Sequence, residues 1–217
     1  MINMPRLVRL ACDGHFDAML GEVVRNGRPL PLSVRLRLSQ PDSLAPAALG
    51  LALQRVLELT YRPTDTSVSL LRELLARALP DGSFGSVSAT AIALAALLGF
   101  EHQVNSLPGA RTGDGSRYID PALRATLQRA IADALGRLGA QWALGERTDG
   151  HAALLGDDID TAVVLWQLAF CPAFGRVVPL GALFESAEAN GLLHDRRTAP
   201  LVSGSALALR VAPERAA

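Results

Sequence analysis

The period of apolar and polar positions changes near residue 44. Before it, Leu32-Ser-Val-Arg-Leu-Arg-Leu38 alternates at period two and Asn26-Gly27 is a hairpin-type dipeptide, which predicts a small β-hairpin in an N-terminal segment, residues 1–43. After it the period is helical. Ala48, Leu49, Leu51, Leu53, Val56, Leu57 and Leu59 share one broad face, with Pro46 suited to the first turn and Pro63 beyond the end. Thr64 or Asp65 caps a second helix through Val68, Leu70, Leu71, Leu74 and Leu75, which stops at Pro80-Asp81-Gly82. The segment from Ser88 to Leu98 is apolar all round and must be enclosed by other helices. Residues 101–120 read as a loop, and Asp120-Pro121 opens an amphipathic helix through Leu123, Leu127, Ile131, Leu135 and Leu138. Residues 145–158 read as a second loop, and 159–170 as a second strongly apolar helix. Residues 179–189 and 203–211 complete the set.

This series contains an internal repeat. With Thr90 aligned on Thr161, Gly85-Ser-Val-Ser-Ala-Thr-Ala-Ile-Ala-Leu lies over Gly156-Asp-Asp-Ile-Asp-Thr-Ala-Val-Val-Leu, and Asp81-Gly82 and Asp149-Gly150 precede the two copies. Asn190-Gly191 followed by Ser205-Ala-Leu-Ala-Leu209 is a fainter third copy. Each unit runs amphipathic helix, glycine turn, apolar helix. Repetition places the apolar helices inside a ring of amphipathic ones and gathers their amino ends at one mouth. The expected fold is therefore mainly α: an α/α-toroid-like array of helical hairpins over residues 44–217, complete or open, behind a small N-terminal β element.

Composition narrows the chemistry. The chain has 217 residues, enough for one large domain, and 49% are hydrophobic, which excludes a disordered chain. The 21 basic residues balance 21 acidic ones, so no global field attracts nucleic acid. All the basic residues are arginine; without lysine, Schiff-base chemistry and P-loop phosphate binding are out of reach. Cys12 and Cys171 form no metal-type cluster, and the four histidines show no paired spacing, so no metal site is expected. The longest apolar run is too short to span a bilayer, and the expected setting is the cytoplasm.

Two segments carry a resemblance. Leu79-Pro-Asp-Gly-Ser-Phe-Gly-Ser-Val-Ser-Ala-Thr-Ala91 resembles the Asp-Gly-Ser-x-x-x-Ser-Pro-Ser-Ala-Thr-Ala signature of class II terpene cyclases of the copalyl diphosphate synthase type. Trp142-Ala143 followed by Asp157-Asp-Ile-Asp-Thr-Ala162 resembles that family's Trp-containing segment and its Asp-x-Asp-Asp-Thr-Ala acid motif. Prenyltransferase and squalene-cyclase toroid repeats are similar more loosely. The likeness covers roughly residues 70–211, in a chain much shorter than the family's active enzymes. It implies protonation of a prenyl substrate by an aspartic acid. Ungapped, the acid position falls on Ile159; read as Asp158-x-Asp160-Thr161, it falls on Asp160.

Such an acid must stay protonated in an apolar site, which clustering of Asp157, Asp158 and Asp160 would favour. The same residues also suit helix capping, where ionised carboxylates belong. Trp142, Trp166 and Phe84 are the candidate substrate-facing rings, although aromatics make up only 5% of the chain. Arg147, Arg196 and Arg197 are the candidate diphosphate ligands. No cofactor is expected, and magnesium enters only with a diphosphate substrate. Two functions are carried forward. One is an acid-initiated terpene-cyclase-like enzyme with Asp160 as donor. The other is a non-catalytic α/α-toroid module for an apolar ligand, a peptide or a partner subunit. Under either, a half ring exposes apolar surface, so a homo-oligomer or a partner subunit is expected.

Overall fold

The structure, a computed structural model, describes residues 4–24, 30–107, 119–145 and 154–203. They form α1 (Met4–Cys12), α2 (Phe16–Val24), α3 (Leu32–Leu38), α4 (Pro41–Leu59), α5 (Asp65–Leu75), α6 (Val87–Asn105), α7 (Pro121–Leu144), α8 (Asp158–Leu168), α9 (Pro172–Gly175) and α10 (Leu180–Ala189). Residues 199–203 are helical as well, and no strand occurs among the described residues. The protein is mainly α.

The expected β element is corrected by α3. The alternating run also places Val34 and Leu38 four residues apart, on one helical face, and both are fully buried while Leu32 and Leu36 point outward. A period-two pattern only seven residues long fits either structure, and burial against other helices decides it. The Asn26-Gly27 dipeptide lies outside the described residues. Helical structure therefore begins well before residue 44.

α4, α6 and α8 pack in sequence, α4 on α6 and α6 on α8, while α5 packs on α4 and α7, α7 on α6, and α10 on α8. α1 and α2 close the other flank of α4. Small residues allow close contact along the α4, α6 and α8 row: a methyl group on Gly50 would lie 2.9 Å from the Ile92 side chain. Ala48, Leu49, Ala52, Leu53, Ala91, Ile92, Ala93, Leu94, Leu97, Ala162, Val163, Val164 and Leu165 have no accessible surface, so no water-sized space adjoins them. α6 is long and apolar enough to cross a membrane by length and composition, yet most of it is buried between α4, α7 and α8.

Helix ends follow the residues that can cap them. Thr64 caps α5 in a capping box with Ser67, Ser86 caps α6, and Asp120 caps α7 ahead of Pro121. α4 begins at Pro41, earlier than the sequence pattern suggests, which leaves Pro46 inside the helix. Pro46 has no N–H to donate to the Asp42 carbonyl. That carbonyl is where the turn before α6 docks.

Candidate functional site

The turn before α6 and the turn before α8 share one construction. Gly85 and Gly156 both have positive φ (93° and 78°), and each is followed by an N-cap, Ser86 or Asp157. The buried apolar residue before each glycine, Phe84 or Leu155, donates its backbone N–H to a threonine hydroxyl six residues on, Thr90 or Thr161, at 3.0 Å in both. The predicted Thr90–Thr161 equivalence thus has a physical basis: the threonine satisfies a backbone donor that would otherwise be buried without a partner. The turn at Gly191 (φ 76°) is built differently: the Thr198 hydroxyl, seven residues after the glycine, donates to the Leu192 carbonyl at 2.7 Å. The Ser205–Leu209 part of the expected third copy lies outside the described residues.

The first turn is fixed by both of its glycines. A methyl group on Gly82 would lie 2.6 Å from the Asp133 carbonyl oxygen of α7, and one on Gly85 only 2.1 Å from the Asp42 carbonyl oxygen of α4. Asp81 braces the same turn, accepting from the Ser83 hydroxyl (2.7 Å) and the Ser83 N–H (3.0 Å), with Arg137 at 3.5 Å.

The amino ends of α4, α6 and α8 meet through side chains. Ser43, in the first turn of α4, hydrogen-bonds Ser86, the cap of α6. Ser88, in the first turn of α6, donates to an Asp160 carboxylate oxygen in the first turn of α8. The three acids of the second turn have separate partners. Asp157 accepts the Asp160 N–H at 2.9 Å and pairs its second oxygen with Arg37 of α3. Asp158 is half-buried, 4.0 Å from Arg197. Asp160 is 7% exposed and folds back over Gly156, where a methyl group would lie 2.6 Å from its Oδ2. Of the two alignments of the acid motif, Asp160 supplies the buried carboxyl, while Ile159 packs half-buried against the core.

The other candidates are dispersed. Phe84 is buried under the first turn, and Trp142 and Trp166 pack half-buried against the core. Arg197 is held by Asp195 through contacts of 2.6 and 2.9 Å, Arg196 is exposed, and Arg147 lies outside the described residues. Leu154 and Gly156 of the acid turn border an open cleft of about 390 Å³ with Arg137, Gln141, Leu144 and Gly145. Asp157, Asp158 and Asp160 are directed at Arg37, Arg197 and Ser88, and no group of three His, Cys, Asp or Glu side chains among the described residues converges on one point. Sequence reasoning missed Ser43, Ser86, Ser88 and Arg37. The serines are visible as small polar residues heading apolar helices, whereas Arg37 was hidden by the strand reading of its segment.

Hydrogen bonds from Ser83 hold the Asp81 carboxyl below the usual range, and the Arg197 guanidinium does the same to Asp195. A depressed carboxyl pKa stabilises the fold above the unfolded-state value, and that contribution is lost as pH falls through the lower folded-state value. Carboxyl carbon NMR is therefore expected to give both residues midpoints below the ordinary aspartate value of about 3.9. Midpoints at or above it would mean that these turn contacts do not persist in solution.

No protein-family model, curated protein or solved structure matches the chain.

Proposed function

We propose that the chain is a non-catalytic α/α-hairpin module, an open arc of the toroid type, that binds an apolar ligand or partner segment near the gathered amino ends of α4, α6 and α8. One observation carries the reading: the faces that α4, α6 and α8 present to one another are filled, with no water-sized space beside their inner residues. A cyclase would need, beyond these packed faces, an enclosed volume in which a prenyl chain can fold around its acid. The acids have structural work instead, capping α8 and joining it to α3 and α6. The arc reading is supported by two glycine turns of like construction and by the packing of α4 on α6 and α6 on α8, with α5, α7 and α10 against them in turn.

The acid-initiated reading is favoured by a different feature. Asp160 is a buried carboxyl hydrogen-bonded to a hydroxyl of the preceding repeat, and it lies over Gly156 at the border of an open cleft. One assay separates the two. Wild-type protein and Asp160→Asn are incubated with geranyl, farnesyl and geranylgeranyl diphosphates, with and without magnesium, and products are analysed after dephosphorylation. The binding reading expects no cyclised product from either protein. It also expects the wild type to be thermally stabilised by a prenyl alcohol or an apolar peptide, by about 5–10 °C at a hundredfold excess over Kd. A cyclised product made by the wild type and lost in Asp160→Asn would overturn it in favour of the enzyme.

A further inference from the structure

We propose that α3 is a detachable cover over the amino ends of α4, α6 and α8, latched by the Arg37–Asp157 ion pair. The observations meet on one short element. α3 packs on α4, α6 and α8, the three helices whose first turns are joined by Ser43, Ser86, Ser88 and Asp160. Its hold is slight: seven residues, two fully buried side chains (Val34 and Leu38), and no side-chain cap at its start. Its outer face carries Leu32 and Leu36, 68% and 63% exposed, so that these two leucines contribute little to docking. Two ion pairs hold it down. Arg37 binds Asp157, the residue that caps α8, and Arg35 lies 3.3 Å from Asp17 of α2. Asp157 Oδ1 accepts the Asp160 N–H while Oδ2 faces Arg37, so the latch is attached to the turn that carries the buried carboxyl. An element with few buried contacts and solvent-accessible ion pairs opens at a free energy well below that of global unfolding. The side chains of the Arg37–Asp157 pair are 24% and 49% exposed, which makes the latch sensitive to salt. Opening would uncover Ser88 and Asp160, and Leu32 and Leu36 are placed for an incoming apolar partner to draw the cover away. This assignment rests on the binding reading for what the uncovered end then does.

Thiol labelling tests the cover without any ligand, so its failure is distinct from a failure of the binding assay. In a background where Cys12 and Cys171 are serine, single cysteines are placed at Val34, under the cover, at Ser88, at the covered end, and at Leu94, fully buried in α6. Val34→Cys and Ser88→Cys are expected to label at similar rates, in the absence of denaturant, faster than Leu94→Cys. Arg37→Gln is expected to speed both about fivefold, the scale of one partly exposed ion pair, and to leave Leu94→Cys unchanged. High salt should speed labelling more in the latched protein than in Arg37→Gln, where only the exposed Arg35–Asp17 pair is left to screen. Val34→Cys labelling only as fast as Leu94→Cys would overturn the proposal, because α3 would then open only with the whole protein. Rapid labelling at Val34→Cys with Ser88→Cys tracking Leu94→Cys would overturn it as well, since α3 would lift without uncovering the site.

Discussion

Gly85→Ala is expected to destabilise the protein by about 3–5 kcal/mol, seen as a drop in thermal midpoint on the order of 10 °C. Two independent costs combine. At φ 93° an L-residue is outside the region it adopts readily, which costs about 1–3 kcal/mol. The new methyl group would also lie 2.1 Å from the Asp42 carbonyl oxygen, and that obstacle is backbone, unable to rotate away as a side chain could. The carbonyl is placed there because Pro46 leaves it without its helical donor, so relief would require moving the start of α4. Gly191→Ala separates the two costs. It has a similar φ of 76° with nothing within 4 Å of the new carbon, and is expected to lose only about 1–2 kcal/mol. Gly136 lies inside α7 with open space beside it, so Gly136→Ala should gain about 0.5–1 kcal/mol. Denaturant unfolding of the three variants would give that order; a Gly85→Ala loss no larger than that of Gly191→Ala would mean that the turn does not dock on α4 as described.

How far the sequence carried the fold depended on whether local chemistry decided the outcome. Thr64, Asp120 with Pro121, and the glycine turns act within a few residues, and the helix starts they imply at α5 and α7 match the structure. The Thr90–Thr161 alignment worked because one backbone need, a donor buried at Phe84 and at Leu155, selects threonine six residues later. The Ser205 segment of the third unit lies outside the described residues, and the Thr198 bond after Gly191 has another spacing and direction. The period-two run at 32–38 misled for a tertiary reason: only the packing of Val34 and Leu38 against three other helices makes it a helix. With α3 misread as a strand, Arg37 could not be linked to Asp157, 120 residues away. The acid motif drew attention to the turn before α8, but which carboxyl faces inward depended on Ser88, a partner whose approach is set by the packing of α6 on α8.

Thr161→Val is expected to cost about 1–3 kcal/mol although valine has nearly the same shape. The hydroxyl accepts the Leu155 N–H at 3.0 Å and lies 3.2 Å from the Leu155 carbonyl, and both residues are fully buried. Valine leaves that N–H without a partner and out of reach of water. Thr161→Ser keeps the hydroxyl and removes one methyl group, so its loss should be nearer 1 kcal/mol. A valine variant no worse than the serine variant would show that the threonine is there for packing alone. Thr90→Val should behave alike, since its hydroxyl accepts the Phe84 N–H and donates to the Ser86 carbonyl at 2.8 Å. The pair then reports on the joint between repeats. The turns are linked through Ser88 and Asp160, with Ser88 two residues from Thr90 and Asp160 adjacent to Thr161. Loosening either turn shifts the first turn of its helix and weakens the partner's hydrogen bond. The double variant Thr90→Val, Thr161→Val is therefore expected to depart from additivity by at least 0.5 kcal/mol, with the second substitution costing less than the first. Breaking the link beforehand with Ser88→Ala should restore additivity. Strict additivity in the parent background would mean that each turn stands alone and that the bond between α6 and α8 transmits nothing.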